Sequence, residues 1–411
     1  MIVIGGGIIG LCSAYYLHKE GHQVTVFDQS DLHSGASFVN AGYITPSHFI
    51  PLAAPGIITK GIKWMFNSSS PFYVKPRLDI EFFKWVWSFK KSANRFQVEK
   101  SIPILKNINL LSRDLFEEIK AANEIKFEYQ RKGLLMCYRT EIAGEEEWNI
   151  GKRAIQEGLG VKNLTQQEVK KMEPDANLNI KGAVYYDCDA HTTPGEFMIA
   201  MLSYLKGRGV QFYRNEKVLD FSTSKSKIVG LITSERTLDA DEFVLAAGSW
   251  STLISKKLGV KIPIQAGKGY RINVERPTGI TIPTILIEAK VAVTPMHGFT
   301  RFSGTMEIGG INHNIDAQRV KAIANAAEKY YEGFKMEQGE IENAACGLRP
   351  CSPDGLPFIG KTNQYKNLTV ATGHAMMGWS LGPVTGKLVS EIISDKKTSL
   401  NIIPFHPNRT F

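Results

Sequence analysis

The apolar positions of the chain begin with a short run at residues 2–4, followed by a glycine-rich turn. Apolar residues at helical spacing then cover residues 8–20, and a second short apolar run covers residues 23–28. Strand, helix and strand in this order form a βαβ unit, in which the helix crosses between neighbouring strands. The pattern therefore predicts a parallel sheet and an α/β fold.

The rest of the chain alternates between helical and strand-like periodicity. Residues 78–123 predict two helices, and apolar residues three or four positions apart give the second helix one buried face. Short apolar runs separated by turn residues at 126–138, 210–247 and 262–310 predict mostly antiparallel strands. A strand at 368–371, a glycine turn and a helix are predicted near the end, and the long Gly-, Ser- and Pro-rich stretch 31–60 is typical of a functional loop.

Composition and length indicate a folded protein with more than one domain. The chain has 411 residues, of which 43% are hydrophobic and 22% charged, so a large core is available and no segment looks disordered. The net charge is +9, but lysines and arginines are spread along the chain rather than clustered. Without a nucleic-acid-binding motif, this charge predicts no nucleic-acid partner.

Cysteines and hydropathy indicate a reducing compartment. Five cysteines form an odd set without metal-ligand spacing, so we expect free thiols and no metal site. No stretch of about 18 apolar residues could span a bilayer as a helix. Because the first residues already have the pattern of a buried strand, we expect no export signal and a cytoplasmic protein.

The clearest motif is Gly5-Gly6-Gly7-Ile8-Ile9-Gly10, which lies between the first predicted strand and the first helix. In such a motif Gly5 permits the tight turn, Gly7 lets the backbone approach a pyrophosphate, and Gly10 lets the helix pack closely on the strand. The phosphates lie at the positive end of the helix. Asp28, about 20 residues on, is placed to accept ribose hydroxyls, which predicts a dinucleotide site.

Two further segments favour FAD over NAD. Residues 241–251 form an apolar strand that ends in a turn of small residues, Ala246-Ala247-Gly248-Ser249, and resemble the second nucleotide-contacting segment of glutathione-reductase-like FAD proteins. Gly347-Leu348-Arg349-Pro350, with Ala371-Thr372-Gly373-His374 further on, resembles the C-terminal flavin-binding signature of the D-amino-acid oxidase superfamily.

Collinear motifs over essentially the whole chain resemble the small subunits of bacterial D-amino acid dehydrogenases. These motifs are Ser37-Phe38-Val39-Asn40-Ala41-Gly42 with Pro46, Ala53-Ala54-Pro55-Gly56, Lys63-Trp64-Met65, Lys268-Gly269-Tyr270, Gly304-Thr305-Met306-Glu307 and Gly378-Trp379. The resemblance implies a discontinuous Rossmann-like FAD-binding domain (1–55, 145–260 and 340–411) of glutathione-reductase type. It also implies an α+β substrate-binding domain on an antiparallel sheet (56–144 and 261–339).

The same resemblance implies the cofactor, the reaction and the residues around the flavin. A D-amino acid would transfer hydride from Cα to flavin N5, the imino acid would hydrolyse to a 2-oxo acid and ammonia, and a quinone or other non-oxygen acceptor would take the electrons. The residues expected to contact FAD are Gly5, Gly7, Ile8, Ile9, Gly10, Asp28, Gln29, Ser37, Asn40, Ala41, Gly42, Val218, Ala247, Gly248, Trp250, Gly347, Gly373, His374, Met377, Gly378, Trp379 and Ser380.

For the substrate carboxylate, Arg349 is the expected partner, since its position matches the substrate-binding arginine of the related glycine oxidases and a guanidinium grips a carboxylate with two donors. Met376 stands where those oxidases carry a second arginine. Tyr270 and His48 could contact the carboxylate or the amine, and His374 could lie near the flavin. Cys346 is one position away from the flavin-linking cysteine of monomeric sarcosine oxidase, so we expect non-covalent FAD.

The stretch 60–91 alternates aromatic and basic residues, which suits either a membrane interface near a quinone or a core face flanked by solvated lysines. These residues are Trp64, Phe66, Phe83, Trp85 and Trp87 with Lys60, Lys63, Lys84, Lys90 and Lys91.

Other functions remain open on the sequence. One is an oxidase or dehydrogenase of glycine, sarcosine, D-proline or D-hydroxyproline type. Others are a flavin-carrying scaffold subunit and the flavoprotein half of a tRNA-modifying enzyme, although an RNA-binding surface is missing. Oligomeric state cannot be predicted from the residues.

Overall fold

The computed structural model describes residues 1–51, 53, 72–75 and 77–411. Part of the predicted motifs lies outside the described residues, namely Ala54, Pro55, Gly56, Lys60, Lys63, Trp64, Met65 and Phe66, together with the predicted domain boundary at 55/56. Helices of the described ranges are Ile8–Lys19, Ile80–Ser92, Arg95–Ala121, Glu141–Gln156, Gln166–Met172, Pro194–Gly207, Ser251–Lys257, Ala317–Tyr330, Gln338–Glu342 and Gly382–Ile393. The strands are β1 (Ile2–Ile4), β2 (Thr25–Phe27), β3 (Tyr43–Ile44), β4 (Phe72–Val74), β5 (Tyr129–Gln130), β6 (Leu134–Tyr138), β7 (Val161–Thr165), β8 (Gly182–Tyr186), β9 (Ala190–Thr192), β10 (Gln211–Tyr213), β11 (Val218–Ser224), β12 (Lys227–Thr233), β13 (Thr237–Asp239), β14 (Phe243–Leu245), β15 (Gln265–Val274), β16 (Thr284–Leu286), β17 (Val291–Met296), β18 (Phe299–Ile308), β19 (Ala345–Cys351), β20 (Phe358–Lys361) and β21 (Leu368–Thr372).

The predicted parallel sheet is confirmed. Its strand order is β10-β2-β1-β14-β21-β20, with every pair parallel except the edge pair β20 and β21. Strands β1, β14 and β21 are buried along their full length, as expected for a sheet covered on both faces. This sheet brings residues near 5, 246 and 372 to one edge, because the carboxyl ends of its parallel strands point the same way.

Two helices that pack against one face of this sheet also contact each other closely at a glycine. Gly386 in the helix Gly382–Ile393 faces the backbone of Cys12 in the helix Ile8–Lys19, and a Cβ at this glycine would lie 2.4 Å from the Cys12 carbonyl oxygen. Any larger residue would push the helices apart. The hairpins of a small antiparallel sheet, β11-β12-β13, cover the other face.

The second large sheet has the order β19-β15-β18-β17-β16-β6-β8-β7, with β4 beside β18. Most pairs are antiparallel, which confirms the predicted α+β sheet; β16–β6 and β18–β4 are parallel. The amphipathic helix Ala317–Tyr330 packs its apolar stripe on one face and closes a separate core. The opposite face of the sheet is thereby left for the site described below.

The division into two domains remains a prediction, and strand pairing bears on its boundaries. Strands β7 and β8 fall within residues 145–260, assigned above to the FAD-binding domain, but both pair in the second sheet. Because a strand shares the core of the sheet in which it pairs, we propose that residues 161–186 belong to the substrate-binding domain. Within the described residues, no helix has the length and apolarity needed to cross a membrane.

Candidate active site

A cavity of about 1540 Å³ lies where the carboxyl edge of the parallel sheet meets the free face of the second sheet. This volume exceeds the roughly 300–1000 Å³ of pockets for drug-sized ligands, so a dinucleotide and a small substrate fit together. Of the residues expected to contact FAD or substrate, those that line the cavity are Gly5, Gly7, Ile8, Ile9, Asp28, Gln29, Ser37, Asn40, Ala41, His48, Val218, Ala247, Gly248, Trp250, Tyr270, Gly347, Arg349, His374, Met377, Gly378, Trp379 and Ser380.

The glycine-rich turn has the close contacts that its sequence predicts. Gly5 has a positive φ of 112°, and a Cβ there would lie 2.4 Å from the carbonyl oxygen of Ala246. Gly10 lies away from the cavity wall and packs on the turn, where a Cβ would lie 1.8 Å from the Gly5 oxygen. At the start of the helix, the backbone N–H of Ile8 donates to Ser37 Oγ at 3.0 Å, so the hydroxyl and the helix N-terminus meet at the cavity wall.

Asp28 directly follows β2 and lies at the same wall. Its Oδ2 accepts the backbone N–H of Gly6 at 2.6 Å, and its Oδ1 accepts the N–H and the hydroxyl of Ser30 at 2.7 and 2.6 Å. A carboxylate has about four acceptor positions, so these three bonds orient it and leave capacity for a ligand hydroxyl. This arrangement fits the predicted role toward a ribose.

The loop that follows Ser37 is tied to the second sheet by Arg301. The Arg301 guanidinium donates from Nη1 to the carbonyl oxygens of Phe38 and Asn40 at 2.9 and 2.6 Å, and from Nε to Asn273 Oδ1 at 3.0 Å. Gly42 lies behind the wall. Its φ is 76°, and a Cβ at this position would lie 2.3 Å from the Thr192 carbonyl oxygen.

The C-terminal wall is a turn whose side chains anchor it in the core. Trp379 is 1% exposed and donates from Nε1 to Thr192 Oγ1 at 2.8 Å, and Ser380 Oγ bonds to Asn109 and accepts the Thr45 N–H. Gly373 lies behind the wall, since its φ of 79° makes the turn and a Cβ would lie 2.7 Å from the Phe358 ring. Gly10, Gly42 and Gly373 thus have packing roles, and their contact with the cofactor stays a prediction.

Arg349 lies in the cavity wall without a carboxylate partner among the residues that the structure describes. Its Nη1 donates to the Thr305 carbonyl oxygen at 2.9 Å, and the guanidinium lies over Gly269, where a Cβ would be 2.1 Å from Nη1. Burial lowers the pKa of Arg349, since no neighbouring carboxylate offsets the desolvation of its charge. A half-buried cation that has no carboxylate partner in the described part of the chain favours an anionic ligand.

Thr305 holds an unusual backbone conformation beside Arg349. Its φ is 63°, a left-handed value that a β-branched residue rarely adopts, and the β15–β18 register shifts at this point. The kink turns the Thr305 carbonyl oxygen toward Arg349, while Thr305 Oγ1 is buried with no hydrogen-bond partner in the described part of the chain. Strain of this kind is typical of functional sites.

His48 reaches the cavity at the end of a short hydrogen-bonded chain. Its Nδ1 lies 3.1 Å from Ser47 Oγ, which donates to Asp189 Oδ2 at 2.5 Å, and Asp189 Oδ1 accepts the Ser47 N–H at 3.0 Å. Burial raises the pKa of Asp189 to about 7 and lowers the pKa of His48 to about 4. His48 is therefore neutral at pH 7 and can accept a hydrogen bond.

Three other predicted residues have partners that limit their roles. Tyr270 borders the cavity, but its hydroxyl donates to Glu307 Oε2 at 2.8 Å in a buried cluster with Lys268, which disfavours the predicted substrate contact. His374 Nε2 bonds to Thr385 at 2.9 Å, and burial lowers the pKa of His374 to about 3. Cys346 is buried, with its thiol 3.5 Å from the His313 oxygen and its pKa raised by burial, so it lacks thiolate character.

The structure also brings in residues that sequence reasoning missed: Ser47, Asp189, Arg271, Arg301, Ser303 and Thr305. A sequence signal existed for Arg271, because alternation along β15 puts it on the same face as Gly269. Asp189 and Ser47 are 142 residues apart, and no local pattern links them.

Comparison with known proteins agrees with this geometry. A family model described as FAD dependent oxidoreductase (DAO) matches residues 1–392. The chain is 32% identical over 403 residues to a D-amino acid dehydrogenase of Helicobacter pylori, an alignment that covers 98% of this chain and 96% of the relative. It is also 32% identical over 417 residues to a D-amino acid dehydrogenase of Bradyrhizobium diazoefficiens, with the same coverage of both chains.

Solved structures share the fold. Glycine oxidase from Geobacillus kaustophilus superimposes with a TM-score of 0.79 at 23% identity, over 100% of this chain and 98% of that one. L-proline dehydrogenase from P. horikoshii superimposes with a TM-score of 0.72 at 20% identity, covering 99% and 96%. L-alpha-glycerophosphate oxidase from Mycoplasma pneumoniae, with FAD bound, superimposes with a TM-score of 0.72 at 15% identity, over 100% of this chain and 98% of that one.

Proposed function

The chain belongs to the FAD dependent oxidoreductase (DAO) family, and from this premise we propose that it is a dehydrogenase that oxidises D-amino acids to 2-oxo acids and ammonia. The observation that carries the proposal is Arg349, a guanidinium with no carboxylate partner among the described residues, in the wall of a cavity large enough for FAD and a small substrate. The names of the relatives from H. pylori and B. diazoefficiens support the choice of substrate.

FAD is expected to lie along the wall formed by the glycine-rich turn, Asp28 and the turn at residues 375–380. When bound, FAD supplies the acceptor for the hydride that leaves the substrate Cα. The backbone N–H groups at the start of the helix Ile8–Lys19, with Ser37 beside them, suit its pyrophosphate. The protonated thiol of Cys346 supports non-covalent binding.

Arg349 is placed to orient the substrate by its carboxylate. A planar guanidinium binds a carboxylate through two parallel hydrogen bonds, which fixes both the position and the rotation of the amino acid. The bond from Arg349 Nη1 to the Thr305 oxygen fixes the guanidinium itself. Positioning of this kind contributes to rate, because the reacting atoms are held at near-contact distance.

His48 is proposed to accept a hydrogen bond from the amino group of the substrate. The amine must be neutral before its lone pair can assist loss of hydride from Cα, so we expect the substrate to react in the form that has already lost its ammonium proton to water. Burial lowers the pKa of His48 to about 4, which keeps the ring neutral but makes it too weak a base to take that proton. Ser47 and Asp189 hold the ring through Nδ1.

The substrate role of Arg349 is tested by reductive titration of the FAD-loaded protein without oxygen. Replacing Arg349 by Leu removes the charged hydrogen bonds to the carboxylate, so the Kd of D-alanine should rise by about 100-fold. The Kd of D-alanine for Arg349→Lys should lie between those of the wild type and Arg349→Leu, because lysine keeps the charge but loses the paired donors.

The control is Arg208→Leu, which removes an exposed arginine paired with Glu124. It should leave the Kd unchanged. An Arg349→Leu protein that binds FAD and D-alanine as tightly as the wild type would refute the role of Arg349.

For the electron acceptor, we propose a quinone in an anionic bilayer on which the helix Ile80–Ser92 docks. The outer face of this helix exposes Ile80, Phe83, Val86 and Trp87. The Nζ atoms of Lys90 and Lys91 lie 5.8 and 5.9 Å from the centre of the Trp87 ring. Aromatic and basic residues in this arrangement suit the headgroup region.

The inner face of the same helix packs toward the cavity. Trp85 donates from Nε1 to the Cys351 carbonyl oxygen at 2.9 Å, and Phe82 and Trp85 share a core cluster with Met306 and Ala375, which both line the cavity. The helix thus joins the proposed membrane-facing surface to the wall of the proposed flavin site.

A further inference from the structure

One row of residues across the second sheet forms the roof of the cavity. The register places Arg271 opposite Ala345 on one side and Ser303 on the other, and the row continues through Ala292 to Ile285 and Met136. All six residues line the cavity. Because side chains alternate between the faces of a sheet, the row shows that this face of the sheet is directed at the cavity.

The next row adds a second cation. Arg301 lies opposite Asn273, which is two residues beyond Arg271 on β15. Arg301 also lines the cavity. Burial lowers the pKa of Arg301 to about 9 and that of Arg271 in the same direction, and the charge of Arg271 lowers the pKa of Arg301 further. The Arg301 side chain is buried and that of Arg271 is half-buried, and neither has a carboxylate partner among the described residues. Arg301 uses Nη1 and Nε for the bonds described above, and Arg271 donates from Nη1 to the Asn343 carbonyl oxygen at 3.1 Å, so each guanidinium keeps further donors for a ligand.

Unsatisfied polar atoms lie beside these cations. Ser303 is 6% exposed, and its Oγ has no hydrogen-bond partner in the described ranges; the same holds for the buried Nε of Arg271. Leaving buried polar atoms without partners is unfavourable, so they are typically satisfied by a ligand or by water. The group that would satisfy donors of this kind next to two cations is an anion.

We propose that Arg271, Arg301 and Ser303 form a second anion subsite, which holds the side-chain carboxylate of an acidic D-amino acid while Arg349 holds its α-carboxylate. The inference rests on the proposed function and narrows its substrate class to dicarboxylates of the size of D-aspartate and D-glutamate.

The spacing of the two sites agrees with such a substrate. The Arg349 guanidinium lies over Gly269, and Arg271 follows on the same face of β15 two residues later, about 7 Å along the strand. A dicarboxylate whose carboxyl groups are separated by two carbon atoms, as in D-aspartate, or by three, as in D-glutamate, can bridge two guanidinium groups at this spacing.

The experiment compares D-glutamate with D-glutamine, a neutral substrate of the same shape, in anaerobic flavin reduction by the FAD-loaded protein. The ratio of kcat/KM for D-glutamate over D-glutamine should be 10 or more in the wild type, as expected for about 1.4 kcal/mol or more of discrimination. Arg271→Leu should bring this ratio to 1 or below, and Arg271→Lys should restore part of it.

The matched control is Arg276→Leu. Arg276 follows the same strand, lies outside the cavity and is paired with Glu337 and Glu340. The ratio of kcat/KM for D-glutamate over D-glutamine in this variant should equal that of the wild type. A wild-type ratio near 1 with active D-alanine would overturn the second subsite but not the proposed function, whereas no reduction by any D-amino acid would overturn both. Loss of FAD affinity in Arg271→Leu would assign the cation to the cofactor and also overturn the proposal.

Discussion

Arg349 depends on the absence of a side chain at position 269. A Cβ added to Gly269 would lie 2.1 Å from Arg349 Nη1 and 2.4 Å from Cζ, well inside van der Waals contact. Since the guanidinium is the flexible end of a long side chain, it can move without disturbing the strand. Gly269 therefore acts on substrate binding through the position of Arg349.

Gly269→Ala should weaken substrate binding with little effect on stability. We expect the Kd of D-alanine to rise about 10-fold or more, as for a displaced hydrogen bond to a charged group, while Tm stays close to wild type. Gly339→Ala is the control, because a Cβ there meets nothing within 4 Å. Unchanged binding in Gly269→Ala would mean that the guanidinium is not held in this position.

Asp189 should give the protein a measurable pH dependence of stability. Its carboxyl stays protonated in the folded state up to about pH 7, whereas the unfolded chain loses this proton near 3.8, so raising the pH between these values destabilises the fold. His48 acts in the opposite sense, because its folded pKa of about 4 lies below the unfolded value of 6.5. Lowering the pH through that window also destabilises the fold.

Replacing Asp189 by Asn removes the loss of stability at rising pH that Asp189 causes, and keeps the loss of stability at falling pH that His48 causes. The free energy of unfolding of Asp189→Asn, relative to wild type, should therefore increase steadily from pH 4.5 to about pH 7 and then level off. Urea denaturation at a series of pH values measures it. A difference between the two proteins that does not vary with pH would show that Asp189 is ionised in the folded protein throughout.

Strand β15 shows how far a pattern of residues reveals the site. The motif Lys268-Gly269-Tyr270 led to a strand that lines the cavity, but the hydroxyl of Tyr270, the residue expected to contact the substrate, bonds to Glu307. Gly269 and Arg271 occupy the face toward the cavity. The periodicity of a strand predicts which residues share a face, but only packing decides which face meets the ligand.

The helix Ile80–Ser92 is an element whose outer surface can be tested directly. Phe83 and Trp87 are 55% and 59% exposed, so the double substitution Phe83→Ser and Trp87→Ser removes apolar area without opening the core. It should lower binding to phosphatidylglycerol vesicles about 10-fold or more, as expected from the lost burial in the interface. Co-sedimentation of the FAD-loaded protein measures the effect.

Ile142→Ser serves as the control, since Ile142 is 73% exposed on another helix. Wild-type protein should bind phosphatidylglycerol vesicles more tightly than phosphatidylcholine vesicles, and added salt should weaken the binding. Equal sedimentation of wild type and double variant would contradict the docking surface.

The molecule as a whole joins two sheets around the cavity described above. The sequence predicted the glycine-rich turn at one side of this cavity better than it predicted the roof. The glycine-rich turn could be recognised locally, because Gly5 and Gly10 meet contacts set by a strand and a helix next to them. The cavity roof could not, because residues 136, 271, 285, 292, 303 and 345 meet only through strand register. Long-range pairing of this kind leaves no local periodic signal.

The most direct test mixes the FAD-loaded protein with D-alanine or with L-alanine in the absence of oxygen and follows the visible flavin absorbance. The flavin should bleach with the D isomer and keep its colour with the L isomer, because Arg349 and the flavin face together fix the side from which Cα is presented. Protein that takes up no FAD, or flavin that bleaches with L-alanine alone, would contradict the proposed function.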